Sequence, residues 1–577
     1  MNSNPATRGS LFSLPLALFA VGLAAVVLLP GFGASAQESQ TNTPAYQLGL
    51  AVKALSIILE PPTNQAPRTF STTLKLTRAD GLLKGIVGRE LQLAFQAPDR
   101  FKLQFTLEQQ NLIICRDGQE IWAYSPGTGF GVVGSRERPA SSPLGPLKLP
   151  LPAAQLALLP LFTDVKALPE ETIDAGLCRV LEVTAKPEAV EAMKLPRGTL
   201  QLWLRGNDFF PVRLVYRDGP STGVQIDLAN PQLEPAWPAE RWKLKGNAGD
   251  RIVTQANYFD NYDPHAPLKV AMDEATQADR GNAGKGYEIT MFTFDGYKGE
   301  KVPSLISVPT NSRAGRLPAV IFLHGIGQNK NFLREITAPF NQAGFAFVSF
   351  DQYTQGERKL GQPQSLLARL AAFVERPAKT VNEARRLIDY LQSRSDIDPR
   401  RIYLVGASYG AVMGSTVLAK DKRVRAGVLV YGGGDFSKLV DSEANRAGVA
   451  AALGLIDGRN LNPEKSPLPK LTPAQGRQVE MVLGLVKLLA SQLLRAADPI
   501  HYASQISPTP VYFQNGTHDV LVPAAAGKAL QEAAREPKKI TWYESDHVGI
   551  DREQTMQVLD DGLKWLLEQD KPFRASK

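Results

Sequence analysis

Across residues 45–235 apolar and polar positions alternate in short runs. Residues 69–76 alternate loosely, 90–95 well, and 100–107 (Arg-Phe-Lys-Leu-Gln-Phe-Thr-Leu) strictly. A period of two sends successive side chains to opposite faces, so the pattern predicts half-buried antiparallel strands. Runs at 112–116 and 120–124 flank the hairpin signal Asp117-Gly118. Further strands are predicted at 179–183, 200–204 and 211–216. Residues 46–59, ahead of Pro61-Pro62, suit a short helix, and 153–162 a compact helical or apolar-loop segment. Residues 236–286 scatter Asn, Asp, Gly and Pro and read as a connector.

Near Tyr287 the period changes. Residues 319–323 (Ala-Val-Ile-Phe-Leu) and 346–350 (Ala-Phe-Val-Ser-Phe) are continuous apolar runs, as strands buried on both faces require. Residues 381–394 carry Ala384, Leu387, Ile388 and Leu391 at helical spacing. Strands follow at 402–405, 426–431, 511–514 and 540–543, with a helix at 480–494 set before the last two. That helix suits either a cap over a site or core. Strands alternating with helices predict an α/β fold with a mostly parallel sheet over 287–577, preceded by a β-rich antiparallel domain over 45–235.

The chain has 577 residues, 43% apolar and 21% charged, enough for two cores. Its first residues form an address. Arg8 precedes a nearly all-apolar run over 11–29, broken by Pro30-Gly31 and followed by Ala34-Ser35-Ala36. This is the order of a secretory signal over 1–36, with Gln37 as the mature start and a periplasmic or extracellular location. The same run is long enough to span a bilayer, so an N-terminal anchor is the alternative. With no Cys nearby, a lipid-modified Cys anchor is excluded. An oxidising compartment would let the two cysteines, Cys115 and Cys178, form one disulfide; otherwise they are buried thiols. The net charge of +8 is mild and shows no dense Lys/Arg block, which argues against a nucleic-acid partner. The five histidines are scattered and no Cys pairs stand at short spacing, so no metal or cofactor is expected.

The chemistry concentrates late in the chain. Gly406-Ala407-Ser408-Tyr409-Gly410 directly follows a predicted strand and precedes a helix-capable run, the context of a nucleophile elbow. Ser408 is the candidate nucleophile. A serine hydroxyl needs an adjacent base. Of the three histidines after it, His501, His518 and His547, the last lies just past the final strand and is the candidate base. Asp519, within Asn515-Gly516-Thr517-His518-Asp519, follows the preceding strand and is the candidate acid. The order Ser, Asp, His fits. His518 is the rival base and Asp546 the rival acid, although adjacency to His547 points those two side chains apart. Oxyanion donors are expected from the backbone N–H groups of Tyr409 and of Ile326, the latter in the turn Leu323-His324-Gly325-Ile326-Gly327. His324 itself reads as structural.

These segments, with Asp351 through Gly356-Glu357-Arg358 and Asp398-Pro399-Arg400-Arg401-Ile402, resemble the α/β-hydrolase superfamily over about 289–567. The nearest branches are the dienelactone-hydrolase-like and prolyl-oligopeptidase-like ones. Dienelactone hydrolases proper use a Cys nucleophile where this chain has Ser408, which favours esters. The resemblance implies hydrolysis of a small-molecule carboxylic ester through an acyl-enzyme. Alternatives are a serine peptidase of the same fold and a non-enzymatic carrier. Glu357-Arg358 is expected to form a structural ion pair. In the N-terminal half, Ala97-Pro98-Asp99-Arg100-Phe101-Lys102, Asp117-Gly118-Gln119-Glu120-Ile121-Trp122-Ala123-Tyr124-Ser125-Pro126 and the strand-turn-strand at 200–216 resemble the LolA-like lipoprotein-sorting carriers. That likeness implies a half-barrel-like antiparallel sheet with a lid and an apolar concavity for a lipid or acyl chain; a β-rich packing domain without ligand is the alternative.

Overall fold

The computed structural model describes residues 43–59, 66–79, 87–107, 109–134, 162–188, 190, 198–217, 223–260, 262–273, 286–310, 315–361, 365–452, 455–457, 469–547 and 551–574. The signal-like segment and nearly all of 153–162 lie outside them. The chain forms two compact units. One comprises Met1–Val253, Ala447–Arg459 and Lys470–Leu493; the other Thr254–Arg446, Asn460–Pro469 and Leu494–Lys577.

The first unit is built on a 12-stranded sheet. Its strands are β1 (Arg68–Ala79), β2 (Glu90–Gln96), β3 (Arg100–Leu107), β4 (Gln110–Asp117), β5 (Ile121–Ser125), β6 (Phe130–Val133), β7 (Thr163–Ile173), β8 (Gly176–Ala185), β9 (Thr199–Arg205), β10 (Pro211–Arg217), β11 (Gly223–Pro235) and β12 (Arg251–Val253). They lie in the order β12-β6-β5-β4-β3-β2-β1-β11-β10-β9-β8-β7. Every pairing is antiparallel except β12 with β6. The strict alternation of β3 becomes burial of Leu103, Phe105 and Leu107 on one face. Helix α1 (Pro44–Leu59) contributes Leu48 and Ala51 to a cluster with Leu181, Leu202, Leu204 and Leu214.

The expected connector does not behave as one. Trp242 is fully buried in the first unit, where its carbonyl accepts bonds from Cys115 Sγ at 3.2 Å and Trp122 Nε1 at 3.0 Å. Residues after Thr254 instead strap onto the second unit. Tyr262 donates to Asp389 at 2.5 Å, and the Arg386 guanidinium donates to the carbonyls of Asp263, Ala266 and Pro267. The loop-like composition reflects a strap whose backbone carbonyls are satisfied by side chains.

The disulfide is not formed: Cys115 and Cys178 are both free and buried. Cys115 sits on β4 and Cys178 on β8, with six strands between them in the sheet. At ~4.8 Å per strand step, that separation is far beyond the ~6 Å a disulfide spans. Burial pushes the Cys115 thiol up to about 12, so it behaves as an apolar group.

The second unit holds a nine-stranded sheet ordered β13-β14-β15-β17-β16-β18-β19-β20-β21. Its strands are β13 (Ala271–Met272), β14 (Tyr287–Asp295), β15 (Lys301–Pro309), β16 (Leu317–Leu323), β17 (Ala346–Phe350), β18 (Ile397–Ala407), β19 (Val424–Val430), β20 (Val511–Gly516) and β21 (Lys538–Tyr543). From β17 to β21 the pairs are parallel; β13, β14 and β15 add an antiparallel edge. β16 and β17 are buried at every residue, as their continuous apolar runs require. Covering helices include α2 (Leu333–Gln342), α3 (Leu366–Ser393), α4 (Tyr409–Lys420), α7 (Ala524–Ala533) and α8 (Arg552–Arg574), numbered to leave α5 (Glu443–Ala452) and α6 (Pro473–Leu493) for the insertion between β19 and β20. Helix α6, read from the sequence as part of the 287–577 domain, belongs to the first unit.

Candidate active site

The residues singled out from the sequence lie at the C-terminal ends of β18, β20 and β21, where open parallel sheets present their sites. Ser408 is the residue between β18 and α4, with φ 54° and ψ −119°. A non-glycine residue holds such a backbone only where its surroundings enforce it. Here the Ser408 N–H donates to Val430 O at 2.8 Å, and its carbonyl accepts from Ala411 and Val412 as α4 begins. The elbow glycines are there for contact. A Cβ on Gly410 would stand 1.9 Å from Leu323 O, and one on Gly406 2.3 Å from Gly410 O.

Asp519 lies in the loop after β20 and His547 in the loop after β21. His547 Nδ1 and Asp519 Oδ2 are 2.7 Å apart, with both side chains almost fully buried. The other Asp519 oxygen accepts from Leu521 N and Val522 N, each at 2.8 Å. Asp546 turns away from the imidazole ring and accepts from Val520 N at 3.1 Å and from its neighbour His547 N at 2.6 Å. His518 is a surface residue, 70% exposed, beside Thr517 and Glu544. The structure thus brings Asp519 and His547 together and sets Ser408 on a nearby strand end. Ser408 Oγ makes no hydrogen bond to His547 among the described residues.

Residues 320–558 match the profile of the Alpha/beta hydrolase family. That stretch is similar to alpha/beta hydrolases. Over 246 residues the chain is 26% identical to an uncharacterized 31.7 kDa protein in the traX-finO intergenic region of Escherichia coli, covering 40% of this chain and 82% of that one. Over 235 residues it is 23% identical to esterase YjfP of E. coli K12, covering 41% and 82%. Among solved structures, the acetyl xylan esterase from Paenibacillus sp. R4 aligns with 54% of this chain and 98% of its own, at 18% identity and a TM-score of 0.39.

The N–H groups of the turn after β16 differ in their partners. Gly325 N donates to Gln328 Oε1 at 3.0 Å and Gly327 N to Gln355 Oε1 at 2.7 Å. Between them, Ile326 N–H has no acceptor among the described residues, and its side chain is 66% exposed. Gly325 lies against the serine: a Cβ there would be 3.3 Å from Ser408 Cβ. Tyr409 N–H heads α4, where no intrahelical acceptor exists. His324 is fully buried, and burial holds it below the ordinary histidine value, so it is a neutral structural group.

The expected Glu357–Arg358 pair is not made. Adjacent residues on the short turn point apart. Glu357 joins the buried Lys330, while Arg358 forks onto Glu383 at 2.6 and 2.7 Å and reaches Glu300 at 2.9 Å. One neighbour escaped sequence reading. Tyr431, at φ 53°, sets its ring edge-on to His547 at 5.8 Å and stacks on Tyr543 at 6.5 Å. Its hydroxyl bonds to that of Ser545. Its only sequence signal was its place at the end of the strand beside the elbow. Among the described residues, no cluster of three or more His, Cys, Asp or Glu could hold a metal ion.

Proposed function

We propose that this is an exported serine hydrolase that cleaves a small-molecule carboxylic ester. The buried Asp519–His547 pair at 2.7 Å, beside a serine held on a strained elbow, carries the reading. In this mechanism His547 Nε2 takes the Ser408 hydroxyl proton as Oγ attacks the carbonyl carbon. The carbonyl π pair moves onto oxygen, which the N–H groups of Ile326 and Tyr409 receive. Collapse expels the alcohol with the proton from His547, and water activated by the same imidazole releases the acid. Asp519 holds the ring tautomer that leaves Nε2 facing Ser408. The similarity to esterase YjfP favours esters over peptides. For the first unit we propose acyl-chain binding, supported by the LolA-like sequence runs and an antiparallel sheet with one helix packed on its apolar residues.

A panel of esters of graded acyl length, with a fluorophosphonate label, tests the activity. Turnover and labelling should both vanish in Ser408→Ala; wild-type turnover in that variant sinks the reading. Export predicts a mature chain beginning at Gln37, and N-terminal sequencing that finds Met1 would reject it.

A further inference from the structure

We infer that Gln355 and Gln352 are positioning residues that set the oxyanion site through the turn after β16; the inference rests on Ser408 being the nucleophile. Both glutamines stand in the loop after β17 and are buried, Gln352 at 0% and Gln355 at 4% exposure. Gln352 Nε2 donates to His324 O at 2.7 Å, and Gln355 Oε1 accepts from Gly327 N at 2.7 Å. The two amides therefore grip the turn on either side of Ile326. Gln355 also occupies a neighbouring N–H, so the group left for a developing oxyanion is that of Ile326.

The gripping loop is itself fixed. Gln355 N donates to Gln352 O at 3.0 Å and Arg358 N to Gln355 O at 2.9 Å. Asp351, fully buried, accepts from Lys330 N at 2.8 Å, Lys330 Nζ at 3.1 Å and Glu357 N at 2.9 Å. Lys330 lies just beyond the turn, so its backbone bond to Asp351 anchors the far end. The remaining amide atoms, Gln355 Nε2 and Gln352 Oε1, are buried without partners among the described residues. A Met or Leu in either place would bring no unpaired side-chain atom of its own, at the cost of the partner on the turn, Gly327 N–H or His324 O. What the glutamines add over a hydrocarbon is the one bond each makes to the turn. Neither amide touches the reacting atoms; each acts by fixing where the Ile326 N–H points.

The test uses Gln355→Met and Gln352→Met in the full chain, with kcat, KM and the Ki of an alkyl boronic acid, which forms a tetrahedral anion on an active serine. Losing a whole oxyanion donor typically costs ~10²–10³-fold in kcat. A misaimed donor should cost about 10–100-fold, with KM within about 3-fold. The boronate Ki should rise by the factor by which kcat/KM falls, whereas a purely structural role would move thermal stability without that parallel. Gln355→Asn, shorter by one methylene, should lose less in the same KM-sparing way and serves if the Met variants do not fold. Wild-type kcat and boronate Ki in the variants, with Ser408→Ala inactive, would overturn this inference alone. Turnover by Ser408→Ala would overturn the nucleophile reading beneath it.

Discussion

Asp519 and Asp546 hold His547 by different atoms. Asp519 takes the ring nitrogen, while Asp546 takes the backbone N–H and ties it to Val520 N–H in the acid's own loop. The pairing predicts a graded series. Ser408→Ala and His547→Ala should each reduce ester turnover on the order of 10⁴-fold or more, Asp519→Asn somewhat less, and the double Ser408→Ala/His547→Ala little further. His518→Ala, altering an exposed side chain, should keep most activity; an inactive His518→Ala beside a normal His547→Ala would reverse the assignment of the base. The residues just after strand ends were legible in the sequence because a strand, a turn and a polar residue are local patterns. Tyr431, Gln328, Gln352 and Gln355 were not. Their roles depend on which loops the sheet order brings together, and a lone Gln or Tyr carries no local signature.

Glycines decide how closely the elements around the elbow approach. Gly410 lets α4 lie against the end of β16, and Gly410→Ala should destabilise by ~3 kcal/mol or more, because backbone cannot yield as a side chain can. Denaturant titration checks this; an unchanged midpoint would contradict the close approach. A second element junction is pH-sensitive. Asp498 accepts from Asp435 N, Phe436 N and Ile500 N, pinning the helical turn Phe436–Leu439. Burial raises its carboxyl from 3.8 to about 6. Between those values the folded chain binds more protons than the unfolded one, so this group's contribution to stability falls as pH rises through the window. Thermal melts at pH 4 and 6.5 should show a smaller pH-driven drop in Asp498→Asn than in the wild type; equal drops would reject the assignment. Strand legibility followed periodicity. The strictly alternating β3 and the continuous β16 and β17 stood out. β7, an edge strand carrying Pro169 and mostly polar residues, and β11, whose Asn230 adopts φ 52° ahead of Pro231, lacked any clean period.

For the whole molecule, the two cysteines make a simple check. Alkylation of the denatured, unreduced protein should modify both Cys115 and Cys178; a protected pair would contradict their placement on β4 and β8. The insertion between β19 and β20 has a larger consequence. Helix α6 belongs to the first unit, and the main chain of Gln492 lies where a Cβ on Gly134 would be, 2.2 Å from its carbonyl oxygen. Such contact puts the tail of the insertion against the end of the first unit's β6. During synthesis, then, the unit that begins first is not completed until much of the second has been made. Its sheet can be made in full by Val253, yet its last piece emerges only with Leu493, after β14 through β19 of the second unit. A nascent chain stopped at residue 253 should leave that surface bare and associate with itself, and adding residues 447–493 as a separate peptide should restore a soluble species. If the shorter fragment is monomeric and as stable as the full chain, the order of birth carries no such cost.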